Sequence, residues 1–198
     1  LRLVATAATD HRVELARGTM SALIWAPPRL FFVNTPSATA IDLGCAYTLT
    51  VDAAGDGELH VTAGYVALAD AGRESIIPYR HLCLTRRGAG PGTPFAEDAP
   101  AALRAALQRF DFGTLSAPAT TAAVGELVTL ARPEDAVTLW HLLTRAPAAQ
   151  RPAVFDALAA RRPPPAGVTR AGILAGDADM RRTWGIELGL GTFALPVR

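Results

Sequence analysis

The spacing of hydrophobic residues changes its period near the middle of the chain. Over residues 1–86, apolar and polar residues alternate with a period of two, which is typical of half-buried β-strands. Stretches rich in Gly and Asp, at 52–59 and 70–74, separate these strand patterns and predict turns. We therefore predict an N-terminal all-β domain over residues 1–86, built as a solenoid-like coil or a sandwich. The clearest alternating set is Leu43, Cys45, Tyr47, Leu49 and Val51.

From residue 101 onward the apolar positions recur with the period of an α-helix. Ser116 is a predicted N-cap with Pro118 in the first turn of its helix, and Pro133 with two following acids suits another helix start. The helices between about 120 and 188 come in pairs joined by short turns, a pattern typical of helix-hairpin arrays of the HEAT type. The sequence thus predicts an α-helical region over 101–198.

The stretch between these two regions, residues 87–100, is rich in Gly and Pro, a composition typical of a connector. We predict that it is a linker. The expected fold class is α+β, with a β domain at 1–86 followed by the helical region at 101–198.

The charge of the chain is nearly balanced, with 19 basic residues against 18 acidic ones and a net charge of +1. This balance does not create the positive field of a nucleic-acid binder, so no nucleic-acid partner is expected. No apolar run reaches the roughly 18–20 residues that a membrane-spanning helix needs. The chain begins with Leu1 rather than Met in the middle of a strand-like pattern. We therefore expect native sequence upstream, where a membrane anchor could lie.

Residues that could carry chemistry are few and scattered. None of the 4 histidines has a second ligand at metal-binding spacing. His81 and Cys83 share one strand face, with Cys45 and His60 as the nearest further candidates, but buried or surface strand residues are the simpler interpretation. The glycines at 88–92 lack the Lys and Ser/Thr of a phosphate-binding loop. We expect no catalytic residue, no cofactor and no bound metal, and hence a protein that is not an enzyme.

Residues 1–86 resemble the FecR-type family, the periplasmic domains of bacterial transmembrane signal regulators that act on anti-sigma factor systems. A strand ends in an apolar residue followed by Thr-Pro, as in the segment Phe32-Val33-Asn34-Thr35-Pro36. The segment 44–47 stands where the family tends to have Gly-Thr-x-Phe, and 61–66 matches Val-x-x-Gly-x-Val. Upstream, 15–24 matches the preceding strand. The positions that carry the motif are Thr35, Pro36, Gly44, Tyr47, Gly64 and Val66.

This resemblance implies a non-enzymatic, extracytoplasmic domain that works in signal transduction and transcription regulation. It would relay a signal by protein–protein contact to a membrane-anchored regulator of a sigma factor. The expected location is the periplasm, tethered to the inner membrane in the full-length protein, and the expected partner is a protein.

Two departures from the family pattern limit the resemblance. Tyr79-Arg80 stands where the family usually has a Gly, so this turn should be built differently. The helical half does not resemble the small α/β module of the iron-uptake regulators. Their partner, the plug of an outer-membrane transporter, is therefore not implied for this chain.

An alternative interpretation is a β domain that binds a small ligand, for example a carbohydrate, with the helices as an appendage. Such a site would need exposed aromatic side chains on a sheet face. A deep polar pocket would favour this alternative, whereas a long exposed strand edge would favour the signalling domain. The available rings are Phe31, Phe32, Tyr47, Tyr65 and Tyr79.

Cys45 and Cys83, the 2 cysteines of the chain, are candidates for a disulfide. Both lie in predicted strands, and an oxidising compartment would favour a bridge between them. However, Cys45 shares a face with Leu43 and Tyr47, while Cys83 alternates with Leu82 and Leu84. The two side chains could therefore point to different sides, so two buried free thiols is the alternative.

Overall fold

The computed structural model describes residues 1–7, 10–24, 27–70 and 72–191, which form an α+β protein. These residues cluster into two compact units, Leu1–Glu97 and 98–191. No helix in the described ranges is both long and apolar enough to cross a membrane. The strands are β1 Arg2–Ala7, β2 Asp10–Glu14, β3 Gly18–Leu23, β4 Phe31–Asn34, β5 Thr39–Val51, β6 Gly57–Asp70, β7 Arg73–Pro78, β8 His81–Arg86, β9 Gly90–Pro91 and β10 Phe95–Ala96. The helices are α1 Ala101–Phe112, α2 Ala117–Leu130, α3 Ala136–Arg145, α4 Arg151–Arg161, α5 Arg170–Ala175 and α6 Ala178–Glu187.

The β unit is a single curled sheet that forms a half-barrel. Its strands follow the order β1-β2-β4-β5-β6-β8-β10, with β3 paired to β5, β7 to β6 and β9 to β8. The pairs are antiparallel except β2 with β4, which is parallel. The 13-residue β5 and the 14-residue β6 form one long hairpin through the centre. The predicted α+β class is confirmed, and the β half is one sheet rather than a sandwich of two.

The register of the central hairpin shifts at two neighbouring points, between Asp42 and Cys45 and between Ala46 and Tyr47. These shifts let the inward side chains on both sides of them reach one core. Asp42 pairs with Val66, but the next pair along is Cys45 with Gly64. Two residues of β5 and one of β6 lie between these pairs, so the alternation of inward and outward side chains shifts phase there. Buried residues are even-numbered before this corner and odd-numbered after it on β5. The core contains Leu15, Val33, Ala38, Ala40, Cys45, Tyr47, Leu49, Val51, Leu59, Val61, Val66, Leu68, Ile77 and Cys83.

Part of the stretch predicted as a linker, residues 90–96, lies within the β unit, and the boundary between the two units follows it, between Glu97 and Asp98. Residues 90–96 are all buried, and β9 and β10 both pair with β8. The backbone carbonyl of Gly92 accepts a hydrogen bond of 2.8 Å from Ser75 Oγ, and its amide donates one of 2.7 Å to Leu84 O. Gly and Pro contribute here through backbone groups and close packing, so their abundance did not indicate a free connector.

Successive helices of the helical unit contact each other in pairs, α1 with α2, α3 with α4 and α5 with α6. Neighbouring pairs are joined through contacts of α4 with α2 and with α5. Ser116 is the N-cap of α2 and accepts a hydrogen bond from the Ala119 amide, which confirms the predicted helix start. Helix α3 is the central element, because its residues 136–143 are all buried.

Two arginines hold the helix pairs together. Arg145 of α3 pairs with Asp111 of α1 at 3.6 Å, and both side chains are buried. The Arg161 guanidinium of α4 donates to the carbonyls of Val128 and Ala131 at the end of α2, at 3.1 and 2.9 Å. A cation at the C-terminus of a helix complements its dipole, so Arg161 also stabilises α2 electrostatically.

Candidate interaction surface

Gly44 and Gly64 form the corner at which the central hairpin folds back. Both have left-handed backbone conformations, with φ of +90° and +64°. A Cβ on Gly64 would lie 2.0 Å from the carbonyl oxygen of Gly44, whereas a Cβ on Gly44 would meet nothing within 4 Å. Gly64 is therefore required by the close approach of the two strands, and Gly44 by its φ alone.

The Thr-Pro motif lies where the turn before β5 meets the turn after β5, a contact that we refer to as the seam. Thr35 Oγ1 accepts a hydrogen bond of 3.0 Å from the Ala38 amide and shapes the turn between β4 and β5. Pro36 packs against Gly55 in the turn after β5, since a Cβ on Gly55 would lie 2.9 Å from Pro36 Cβ. A straight 13-residue strand would separate these turns by about 40 Å. Their contact shows that the corner folds β5 back on itself.

A buried hydroxyl pair fastens this seam. Ser37 Oγ and Thr85 Oγ1 lie 2.7 Å apart, and both residues are buried. Gly57 passes beside them, where a Cβ would approach Thr85 Oγ1 to 2.6 Å. The turn between β4 and β5, the start of β6 and strand β8 therefore contact one another here.

The remaining motif residues, Tyr47 and Val66, lie in the core at 2% and 0% exposure. Burial raises the pKa of the Tyr47 hydroxyl. All six motif positions thus have structural places, at the corner, the seam or the core of one curled sheet. The sequence had no signal that the corner and the seam depend on each other.

Arg80, which occupies the family's usual Gly position, adopts a left-handed conformation with φ of +59°. This conformation is unfavourable for a residue with a Cβ, so neighbouring contacts must hold it. The Arg80 amide donates to Val61 O at 2.9 Å, and its Nε donates to Glu97 Oε1 at 2.6 Å. Glu97 also contacts His60 Nε2 at 3.1 Å. The hydrogen bonds from Arg80 and His60 lower the pKa of Glu97.

Cys45 and Cys83 are both buried, and both are free thiols. Cys45 pairs with Gly64 and Cys83 with Leu59, so they flank β6 on opposite sides and five positions apart. That register separates their Cα atoms by on the order of 15 Å, whereas a disulfide needs less than about 7 Å. The candidate disulfide is therefore not formed, and the alternative of two buried thiols describes this structure. Cys45 Sγ donates to Asp42 Oδ1, and Cys83 Sγ donates to Gly92 O at 3.1 Å.

The aromatic residues considered for a ligand-binding face are mostly withdrawn from solvent. Tyr47 is buried, and Phe31, Phe32 and Tyr65 are half-buried, which leaves Tyr79 as the exposed member of the five. Arg12 covers the Phe32 ring, with its guanidinium carbon 4.4 Å from the ring centroid. These rings do not form the aromatic platform on which the carbohydrate interpretation depends.

Strand β1 ends the sheet and exposes apolar side chains. It pairs with β2 along one edge, and no strand among the described residues pairs with its other edge. Leu3 is 66% exposed and Val4 45%. Leu1, just before the strand, is 77% exposed. We refer to the outer backbone of Arg2–Ala7 with these three side chains as the β1 edge.

The β1 edge carries some of the features that protect edge strands and lacks others. It contains no Pro or Lys, and its one charged residue, Arg2, pairs with Glu14 of β2 through an Nε–Oε2 contact of 2.8 Å. A bulge between Leu3 and Ala5 interrupts its register with β2. Unpaired backbone groups beside exposed apolar side chains form a surface that accepts a further strand.

Comparisons with known proteins give distant structural matches. No protein-family model matches the chain, and no curated protein is similar to it. Two crystal structures from Parabacteroides distasonis ATCC 8503, each described as a "putative anti-sigma factor", match part of this chain. The structure at 2.50 Å resolution has 18% identity and a TM-score of 0.41, covering 52% of this chain and 49% of that chain. The structure at 1.65 Å resolution has 14% identity and a TM-score of 0.42, covering 65% and 61%. The chain therefore spans about half to three-fifths of the length of these structures.

Proposed function

We propose that this chain is a non-enzymatic, extracytoplasmic signalling domain of FecR type that binds a partner protein through the β1 edge. It relays a signal by this contact to a membrane-anchored regulator of a sigma factor. The observation that carries the proposal is the open edge of β1 with its exposed apolar side chains. The placement of the motif residues at the corner and the seam supports the resemblance to that family.

The backbone groups and side chains of the β1 edge favour an extended segment of the partner protein as its occupant. The unpaired amides and carbonyls of β1 can form hydrogen bonds with an added strand. Because Leu3 and Val4 are exposed beside these groups, the added strand must also bring apolar side chains to cover them. An antiparallel or parallel strand addition meets both requirements, and a small ligand meets neither.

The test uses the full-length protein in its native bacterium, with a matched pair of variants. Leu3→Asp places a charge on the β1 edge. Leu23→Asp places the same charge on β3, where the side chain is 64% exposed compared with 66% for Leu3. We expect Leu3→Asp to abolish the transcriptional response of the controlled sigma factor and Leu23→Asp to preserve it.

Photo-crosslinking from positions 3 and 23 identifies the occupant, and protease treatment of spheroplasts reports the location. The expected results are a crosslink from position 3 to one component of the signalling complex and digestion of the domain from outside. A normal response with Leu3→Asp would overturn the proposed contact. A crosslink between identical copies would make the occupant a second copy of this chain, and protection from protease would overturn the extracytoplasmic location.

A further inference from the structure

Asp42 is a buried carboxyl group placed at the corner of the central hairpin. The residue is 1% exposed and points inward on β5, next to the phase shift between Asp42 and Cys45. Its Oδ1 accepts a hydrogen bond from Cys45 Sγ, and its Oδ2 accepts one of 3.2 Å from the Gly44 amide. The carboxyl group therefore binds directly to the two residues that form the turn of the corner.

The groups around Asp42 do not neutralise a negative charge. On β5 the titratable neighbours are Cys45 and Tyr47, both of which are acids and buried. The residue opposite on β6 is Val66, and its partner on β7 is Ile77. Both are apolar.

Arg29 contacts this site through its backbone, but its side chain is directed away from the Asp42 carboxyl group. The Arg29 amide donates to Asp42 O at 2.8 Å, but its guanidinium lies 3.8 Å from Glu74 Oε1. Among the described residues, no cation pairs with the Asp42 carboxylate.

Loss of the proton from Asp42 therefore places a charge in an apolar interior. Desolvation raises the pKa of Asp42 above its ordinary value, and the hydrogen bonds from Cys45 and Gly44 oppose this effect in part. A raised pKa in the folded state means that the folded corner binds its proton more tightly than the opened one. Stability is then fully present below about pH 4 and decreases as pH rises toward the folded-state pKa.

We propose that the corner is a proton-responsive hinge. It is held most tightly while Asp42 is a neutral carboxylic acid, and it loosens when that proton is lost. The corner can respond in this way because the two strands are in close contact at Gly44 and Gly64. Water can therefore reach a charged Asp42 only if the strands move apart. This inference concerns acidity and does not depend on the proposed partner of the β1 edge.

The test is native-state hydrogen exchange of the full chain between pH 4 and pH 8, together with an NMR titration of the Asp42 carboxyl carbon. The protection factors of the Cys45 and Val66 amides should fall with rising pH. At a linkage of one proton, the fall is about tenfold per pH unit within the transition. In Asp42→Asn, which removes the charge and keeps one of the two acceptor oxygens, these protection factors should not change with pH.

Glu58→Gln is the matched control, because Glu58 is an exposed carboxylate on the same hairpin. It should retain the pH response of the wild type. The hinge is refuted if wild-type protection is flat, if Asp42→Asn keeps the slope, or if the Asp42 carboxyl titrates at or below the ordinary value. Should Asp42→Asn fail to fold, the wild-type titration and exchange profile decide the question alone.

Discussion

Replacing Gly64 by alanine tests whether the close approach at the corner determines the curl of the sheet. The new Cβ would lie 2.0 Å from Gly44 O, a backbone atom that cannot rotate away. A left-handed conformation costs a residue with a Cβ about 1–2 kcal/mol before any clash is counted. Relieving the clash requires the two strands to separate and loosens the seam. We therefore expect Gly64→Ala to lower the free energy of unfolding of the β unit by about 3–5 kcal/mol, within the exceptional range for one substitution.

Gly44→Ala provides the comparison, because Gly44 shares the left-handed conformation but has open space at its Cβ. Its cost should be the backbone term alone, about 1–2 kcal/mol. Denaturant unfolding followed by hydrogen exchange of β5 and β6 measures the β unit separately from the helices. If the two variants differ by less than about 0.5 kcal/mol, the usual scatter of surface substitutions, the clash does not determine the corner.

Three further predictions concern the seam, the helix pairs and the acid response. Thr85→Val should cost about 1–3 kcal/mol by leaving the buried Ser37 hydroxyl only its longer contact of 3.4 Å with Thr35 Oγ1, and adding Ser37→Ala should recover most of that loss in a double-mutant cycle. Arg161→Met should lower the stability of the helical unit by about 2–3 kcal/mol in urea unfolding, against less than about 0.5 for exposed Arg162→Met. Glu97 has its pKa lowered by its arginine and histidine neighbours, so its stabilisation is present above about pH 4.5 and lost as pH falls. Thermal unfolding of Glu97→Gln between pH 7 and pH 3 should show a weaker loss on acidification than the wild type.

The helical half could be predicted from the sequence because its determinants are local. The period of the apolar residues, an N-cap serine and turn prolines each act within a few positions of where they stand. Ser116 and the pairing of successive helices were therefore accessible before the fold was known. The contacts that join the pairs, such as Arg161 to the end of α2, span about 30 positions and left no local signal.

The segment 87–100 could not be predicted because its role depends on backbone groups. Strands β9 and β10 have 2 residues each, too short to show a period of two. Their pairing depends on the amide and carbonyl groups that every residue carries, so composition does not reveal it. Gly and Pro indicated an irregular chain correctly, but an irregular chain can be buried when neighbouring strands satisfy its polar groups.

The corner limits what a period of two can predict for the β half. Extending the alternation from Cys45 back through Leu43 places Leu43 inside, but the structure buries Asp42 and leaves Leu43 half-exposed. The extra residue inserted into β5 at the corner reverses the phase, and a bulge of this kind has no pattern of its own beyond a glycine. The same uncertainty of register affected the candidate disulfide, because spacing along the chain does not give position along a partner strand. A phase error of one residue exchanges a leucine for a carboxylic acid in the interior. The acid that results, Asp42, could not be identified as a candidate until the pairing of β5 with β6 was known.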